Sequence, residues 1–330
     1  MNIFRNRGLR NSKFLILLTL SYLITPQKAF CVDNPTKTQN ASAFELSEGN
    51  KVYSIYCAAC HGDLGDGNGP AAVGISPAPR DFTSGVYKFR STPTGSLPTD
   101  EDLIKVVQWG IPGTWMPGWK GLLSEQEINN VVTYCKSFFP EPRKWNNVEP
   151  ISSLIESPPQ PNSELLRDGE GFYLLFDCWQ CHGFDGRGSG PSAKKLIDSN
   201  NRPIKPTNLT KNNYRAGFSP KDIRKTFLTG LSGSPMPSYK DIFLIAKEDV
   251  EAEEFSKLYP SKSKKTFFDY QIHLPSSSYI NSLTENEQKA LMIRNEWALV
   301  HYVRSLVKKD NLIDWFFRNN PESESLKAKK

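Results

Sequence analysis

Cys57-Ala58-Ala59-Cys60-His61 is a stretch that the chain uses twice, returning as Cys178-Trp179-Gln180-Cys181-His182. Thiols three positions apart sit about one helical turn from each other. Both can therefore reach the two vinyl groups of one porphyrin, with the adjacent histidine under the iron. C-x-x-C-H reads as covalent attachment of a c-type haem. A thioredoxin-like reading wants a βαβ setting, and no alternating strand and helix pattern precedes either copy. A zinc site needs a fourth ligand, and the motif supplies three. Two copies in matched surroundings imply two haem c groups.

Working outward, the surroundings repeat as well. Val52, Tyr53 and Tyr56 lead at helical spacing into Cys57. After each histidine comes a loop too glycine rich for helix or strand, closing at Pro70 and at Pro191. Such a loop lets backbone press close to a macrocycle. A metal-bound histidine needs a fixed acceptor for its other ring nitrogen. The carbonyls of Pro70 and Pro191 are the expected acceptors, with plain turn prolines as the alternative.

Further on, Thr99-Asp100-Glu101-Asp102 and Ser219-Pro220-Lys221-Asp222 each open a short amphipathic helix closed by a glycine, Gly110 or Gly230. From each cap it is seventeen positions to a methionine, Met116 or Met236. Ser124-Glu125-Gln126-Glu127 and Thr284-Glu285-Asn286-Glu287 are capping boxes. Behind the first, Ile128, Val131, Val132, Cys135, Phe138 and Phe139 trace one helical face; behind the second, a longer helix runs through Trp297, Val300, Tyr302 and Leu306. Each unit reads as helix, haem loop, helix, methionine loop, helix, so the expected fold is all-α in two domains.

Only four methionines occur, Met1, Met116, Met236 and Met292. Met116 lies in Thr114-Trp115-Met116-Pro117-Gly118-Trp119 and Met236 in Ser234-Pro235-Met236-Pro237-Ser238-Tyr239. A loop methionine ordinarily fills gaps. Here the repeat, the stiffening proline and the neighbouring aromatics point to sulfur on iron, opposite His61 and His182. Trp115, Trp119 and Trp179 are expected to shield the irons and set their potentials, ordinary packing being the alternative. A thioether favours the ferrous state, and His/Met ligation is the electron-transfer pattern.

With these residues in view, the chain resembles a tandem dihaem member of the class I cytochrome c family, over Glu48 to Pro140 and about Arg167 to Lys308. The resemblance implies two tandem cytochrome c domains in which the first and last helices cross, with Tyr134 and Tyr302 as the aromatics packed on the first helix. It also implies a haem edge near solvent. Pro79 to Arg90 is similar to segments in cytochrome subunits serving larger respiratory oxidoreductases. The second unit departs there, reading Lys205-Pro206-Thr207-Asn208-Leu209-Thr210, and has one extra residue before Cys178. Its haem is therefore expected to differ in exposure and potential.

The 330 residues divide into a signal peptide (1–30), a flexible mature start (31–46), domain one (47–140), a proline-rich linker (141–162), domain two (163–310) and a tail (311–330). The signal reading rests on Arg5, Arg7, Arg10 and Lys13 ahead of the apolar run from Phe14 to Ile24. Gln27 weakens the cleavage site, so retention as an anchor is the alternative, as is a lipoprotein reading of Cys31. Without residues 1–30 the formal charge falls from +6 to +1, so the basic balance belongs to targeting and gives no reason to expect a nucleic-acid partner. The linker is expected to act as a semi-rigid spacer. Cys135 reads as a buried free thiol. Domain two carries an insert at about 241–282, a docking loop, a lid or, more commonly, a solvated decoration.

The function expected is an exported, periplasmic electron carrier between a redox protein donor and acceptor, with a larger respiratory oxidoreductase as one such partner. Membrane contact follows only if the signal segment stays. The competing reading is a dihaem enzyme of the peroxidase or thiosulfate dehydrogenase kind, which needs an open or non-methionine sixth position. A gas sensor needs the same vacancy. His273 in the insert and His301 in the last helix are the spare histidines, the latter expected to be packed or on the surface.

Overall fold

Ser42 accepts a hydrogen bond from the Glu45 amide while the Glu45 carboxylate accepts from the Ser42 amide, and helix α1 (Ala43–Tyr56) starts there. The expectation of a flexible start through residue 46 is thus corrected at its end, because Ser42-Ala43-Phe44-Glu45 is itself a capping box. The computed structural model describes residues 41–146, 148–151, 157–250 and 274–307. The signal segment, residues 31–40, the tail and 251–273, which include His273, lie outside them.

The first half continues with α2 (Ala58–His61), α3 (Asp100–Trp109) and α4 (Glu125–Ser137). The second has α5 (Ser163–Leu175), α6 (Cys178–His182), α7 (Pro220–Thr229), α8 (Ser277–Ser282) and α9 (Glu285–Ser305). Thr99, Ser124, Ser219 and Thr284 cap α3, α4, α7 and α9. Among the described residues there is no strand, only two isolated bridges, so the fold is all-α. None of the described helices is long and apolar enough to cross a membrane.

Two matched crossings organise the halves. Gly49 of α1 lies against the Asn130 carbonyl and Tyr134 Cβ of α4; Gly169 of α5 lies against the Ala298 carbonyl and Tyr302 Cβ of α9. Only a residue without Cβ lets backbones approach so closely. One turn on, Tyr53 packs on Tyr134 and Tyr173 on Tyr302, each with ring centroids 5.3 Å apart. Around the first crossing Val52, Leu123, Ile128 and Val131 form one core; around the second, Phe172, Ile223, Phe227, Leu228 and Trp297 form a larger one. Each such side chain contributes about 1.5–3 kcal/mol on burial.

The insert is not a decoration at its stem. Phe243 is fully buried among Phe172, Phe176 and Phe227, and its carbonyl accepts from Asn295 Nδ2. The linker, expected as a semi-rigid spacer, is tied into both halves. Trp145 is buried against Tyr87 and Phe139, the Ile151 amide donates to the Ser91 carbonyl, and Ile151 joins the second core. Proline density set the backbone, but the interspersed apolar residues found cover.

The halves meet along a seam. Arg90, 1% exposed, donates to the carbonyls of Thr229, Tyr87 and Pro93, and Thr94 Oγ1 donates to the same Thr229 carbonyl. Lys105 Nζ pairs with Asp222 at 2.8 Å.

Candidate haem sites

Each C-x-x-C-H sits on a short helix whose position is fixed by a tyrosine. Tyr53 Oη donates to the Gly62 carbonyl at 2.7 Å and Tyr173 Oη to the Gly183 carbonyl at 2.6 Å. The extra residue of the second half is absorbed by Asp177, which takes a left-handed φ of 55° between α5 and α6. The glycine loops then run in register. The Gly67 amide donates to the His61 carbonyl and the Gly188 amide to the His182 carbonyl, both at 2.8 Å. Phe82 and Leu209 tie the following segments to Gly65 and Gly186.

His61 Nδ1 bonds the Arg80 carbonyl at 3.0 Å, and His182 Nδ1 bonds the Thr207 carbonyl at 3.0 Å. A carbonyl only accepts, so each bond requires the Nδ1–H tautomer and leaves Nε2 with its lone pair, as a metal ligand needs. Burial lowers the pKa of both imidazoles, against a smaller opposite pull from these bonds, which keeps them neutral. The expectation that Pro70 and Pro191 supply the acceptors is corrected. Pro70 heads a tight turn over Pro70–Ala72, its preset φ serving that turn, while the Ser192 amide after Pro191 folds back onto the Gln180 carbonyl. The signal that could have found the acceptors is a second matched pair of prolines, Pro79 and Pro206, each directly before its acceptor.

The methionine loops are also built alike. The Met116 carbonyl accepts from Ile111 and the Met236 carbonyl from Leu231, while Thr114 and Ser234 hydroxyls donate to the Ile111 and Leu231 carbonyls. Gly110 and Gly230, with φ of 66° and 64°, end α3 and α7 against these loops. The Trp119 and Tyr239 amides then return to the Val107 and Phe227 carbonyls.

In the second half, Cys178, Cys181, His182 and Met236 all line one cavity of about 690 Å³. That lies within the range of about 300–1,000 Å³ common for small-molecule sites. Its walls include Leu209, Ile223, Phe227, Leu299 and Val303. Two thiols, an imidazole with a free Nε2 and a thioether around one largely apolar space are a donor set that fits haem c. Burial pushes the Cys178 thiol up to about 12 and the Cys57 thiol up to about 11, so neither is ionised at neutral pH.

At the first site Phe82 stacks on the His61 imidazole at 4.6 Å. Beyond it, Tyr87 Oη and Trp145 Nε1 are buried donors with no acceptor among the described residues. A carboxylate-bearing group beside them would satisfy both. Cys135 is a free thiol packed against the same core, with burial raising its pKa.

Comparison with known proteins agrees. Residues 44–135 match the family described as cytochrome c oxidase, cbb3-type, subunit III. A chain of the Kuenenia stuttgartiensis reducing HAO-like protein complex superposes with a TM-score of 0.60 at 35% identity, over 79% of this chain and 96% of that one. The chain is a c-type cytochrome. The cytochrome is also 34% identical over 89 residues to cytochrome c55X of Stutzerimonas stutzeri, 26% of this chain and 61% of that protein. It is 27% identical over 121 residues to a nicotinate dehydrogenase subunit of Pseudomonas putida, 34% of this chain and 9% of that protein. It thus spans less than two thirds of the length of either curated relative.

The tryptophans of the cytochrome divide. Trp179 is buried, stacked on Phe184 at 4.6 Å with Nε1 donating to Asp177, and Trp119 packs on Tyr56 and the first core. Trp115 is 74% exposed, so its expected shielding role is corrected: its loop turns the ring to solvent while Met116 stays half-buried. His301 is buried, with Nε2 bonded to the Pro159 carbonyl at 3.0 Å, which fastens the linker to α9.

Proposed function

We propose that this cytochrome is an exported electron-transfer protein carrying two haem c groups, one on Cys57 and Cys60 and one on Cys178 and Cys181. His61 and Met116 would cap one iron, His182 and Met236 the other. The observation that carries this reading is the cavity shared by Cys178, Cys181, His182 and Met236. The matched bonding of the first half extends it to the other motif.

When bound, haem c supplies one-electron exchange between ferric and ferrous iron. The chain's residues do the rest. The cysteines anchor, the Arg80 and Thr207 carbonyls hold the imidazoles in the ligating tautomer, and the docked methionine loops deny the irons a substrate position. The role is therefore transfer between redox proteins rather than catalysis within this chain. The Kuenenia relative belongs to a complex and the Pseudomonas relative is part of a dehydrogenase, which favours a larger oxidoreductase as partner. The run of Arg5, Arg7, Arg10 and Lys13 ahead of Phe14 to Ile24 supports export to the periplasm.

The test is the mass and ligand state of the purified full chain. Two covalent haems, both low-spin when ferric and both inert to added cyanide, are expected. A single haem would refute the two-haem reading, and a haem that is high-spin and takes cyanide readily would refute the carrier role in favour of a catalytic site.

A further inference from the structure

The cavity of the second site is not walled by the second half alone. Ser76, Pro77, Lys88 and Phe89 of the first half line it together with Cys178, His182 and Met236. The same cavity receives Arg202, Lys205 and Arg215 and, besides Asp177 beside the tethering cysteine, a single carboxylate, Asp198. Four cations, Lys88, Arg202, Lys205 and Arg215, thus share the cavity wall with Asp198, one oxygen of which, Oδ1, already accepts from the Asn200 and Arg202 amides at 2.9 and 3.0 Å. Among the described residues, no carboxylate stands within ion-pairing distance of Lys88, Arg202 or Arg215.

Lys88 is the informative member, because it is half-buried where the two arginines are exposed. Burial lowers its pKa, and the like charges of Arg80 and Arg215 add to this against an opposite pull from Asp198, so its ammonium is incompletely compensated where it stands. Arg80, in turn, is half-buried and sensed by Asp198 and Arg202 across the seam. A surplus of cations at the edge of an apolar cavity is repaid by a ligand that brings its own carboxylates. Haem bears two, on the propionate arms, away from the thioether bonds.

We infer that Lys88 of the first half, with Arg202 and Arg215 of the second, binds the propionate carboxylates of the haem held by Cys178 and Cys181, so that the second site is completed by the first half. This rests on the two-haem reading above. Removing the lysine charge leaves the carboxylates less compensated and stabilises the ferric state, so the potential of that haem falls.

The experiment is a redox titration of the full haem-loaded chain, with haem content read by mass, in Lys88→Gln, Lys88→Arg and the seam control Lys105→Gln. The second haem is recognised as the one whose potential drops in Met236→Ala. Lys88→Gln should lower that potential and leave the other in place, Lys88→Arg should restore it, and Lys105→Gln should move neither. Two haems with an unmoved second potential, an equal shift of both, or an arginine variant that behaves like glutamine would overturn this inference alone. A single haem in the wild-type chain would overturn it together with the two-haem reading.

Discussion

Arg224 and Glu296 pair at 2.5 Å with side chains 1% and 2% exposed, and they do so at the two positions where the first half has Ile104 and Ile128. The equivalence follows from the crossings: counted from Gly49 and Gly169, Tyr134 stands where Tyr302 does, and Ile128 where Glu296 does. The guanidinium also lies over the Trp297 ring at 4.8 Å. Two copies of one fold thus fill the same two positions differently, one with a pair of isoleucines and the other with a buried ion pair.

Removing one partner strands the other charge. Arg224→Ala or Glu296→Ala should cost about 3–5 kcal/mol, read from denaturant unfolding of the haem-loaded chain. The double change Arg224→Ile, Glu296→Ile copies the first half and should be close to neutral or stabilising, since apolar replacement of a buried pair is often favourable by about 1–4 kcal/mol. A double variant no better than either single one would show that the pair has no apolar substitute here.

Gly49 and Gly169 should tolerate no side chain. An added Cβ at Gly169 meets the Ala298 carbonyl and Tyr302 Cβ, and α5 must lift off α9 to admit it. Gly169→Ala should cost about 1–3 kcal/mol or more, as overpacking does. A Gly169→Ala variant that melts with the wild type would mean that the close approach is not what the glycine serves.

What the sequence made legible was whatever a side chain announces locally. The C-x-x-C-H motifs, the hydroxyl caps at Thr99, Ser124, Ser219 and Thr284 and the methionine loops are short-range signals, and the helices stand where they pointed. The histidine acceptors were legible only indirectly: a backbone carbonyl at Arg80 or Thr207 carries no residue identity, and the matched prolines before them, Pro79 and Pro206, compete with the equally matched Pro70 and Pro191. Nor was the seam. Arg90 reads as an ordinary surface arginine until Thr229, 139 positions away, is brought to it. Phe243 was hidden by its setting, a buried aromatic opening a polar insert.

The Lys105–Asp222 contact should make the seam sensitive to acid. Burial raises the Asp222 pKa, but hydrogen bonds from Lys105 and Ser219 and the lysine charge outweigh it, and the net shift is downward from 3.8. A carboxyl depressed in the folded state adds stability that is complete above its unfolded pKa and is lost as pH falls through the folded value. Lys105 is half exposed, so the pair is worth about 0.5–1 kcal/mol. The stability difference between wild type and Lys105→Ala should therefore have that size at neutral pH and shrink once pH drops below 3.8. It should shrink also in high salt. A difference flat across pH would assign the effect to lost packing.

Met116→Ala and Met236→Ala separate the two proposed centres. In each half the methionine amide faces the hydroxyl of Thr114 or Ser234 at 3.1 or 3.4 Å, and the loop carbonyl is bonded back to Ile111 or Leu231, so the loop is held independently of its sulfur. The alanine variants should therefore fold and load haem as the wild type does. What they lose is the thioether that favours ferrous iron. Each variant should lower one potential, leave the other nearly unchanged and allow one equivalent of cyanide or azide to bind the ferric protein. Ferric spectra should report one newly high-spin centre. A variant whose potentials, spin state and cyanide uptake all match the wild type would remove that methionine from the iron, and with it the argument that the half concerned carries electrons without reacting.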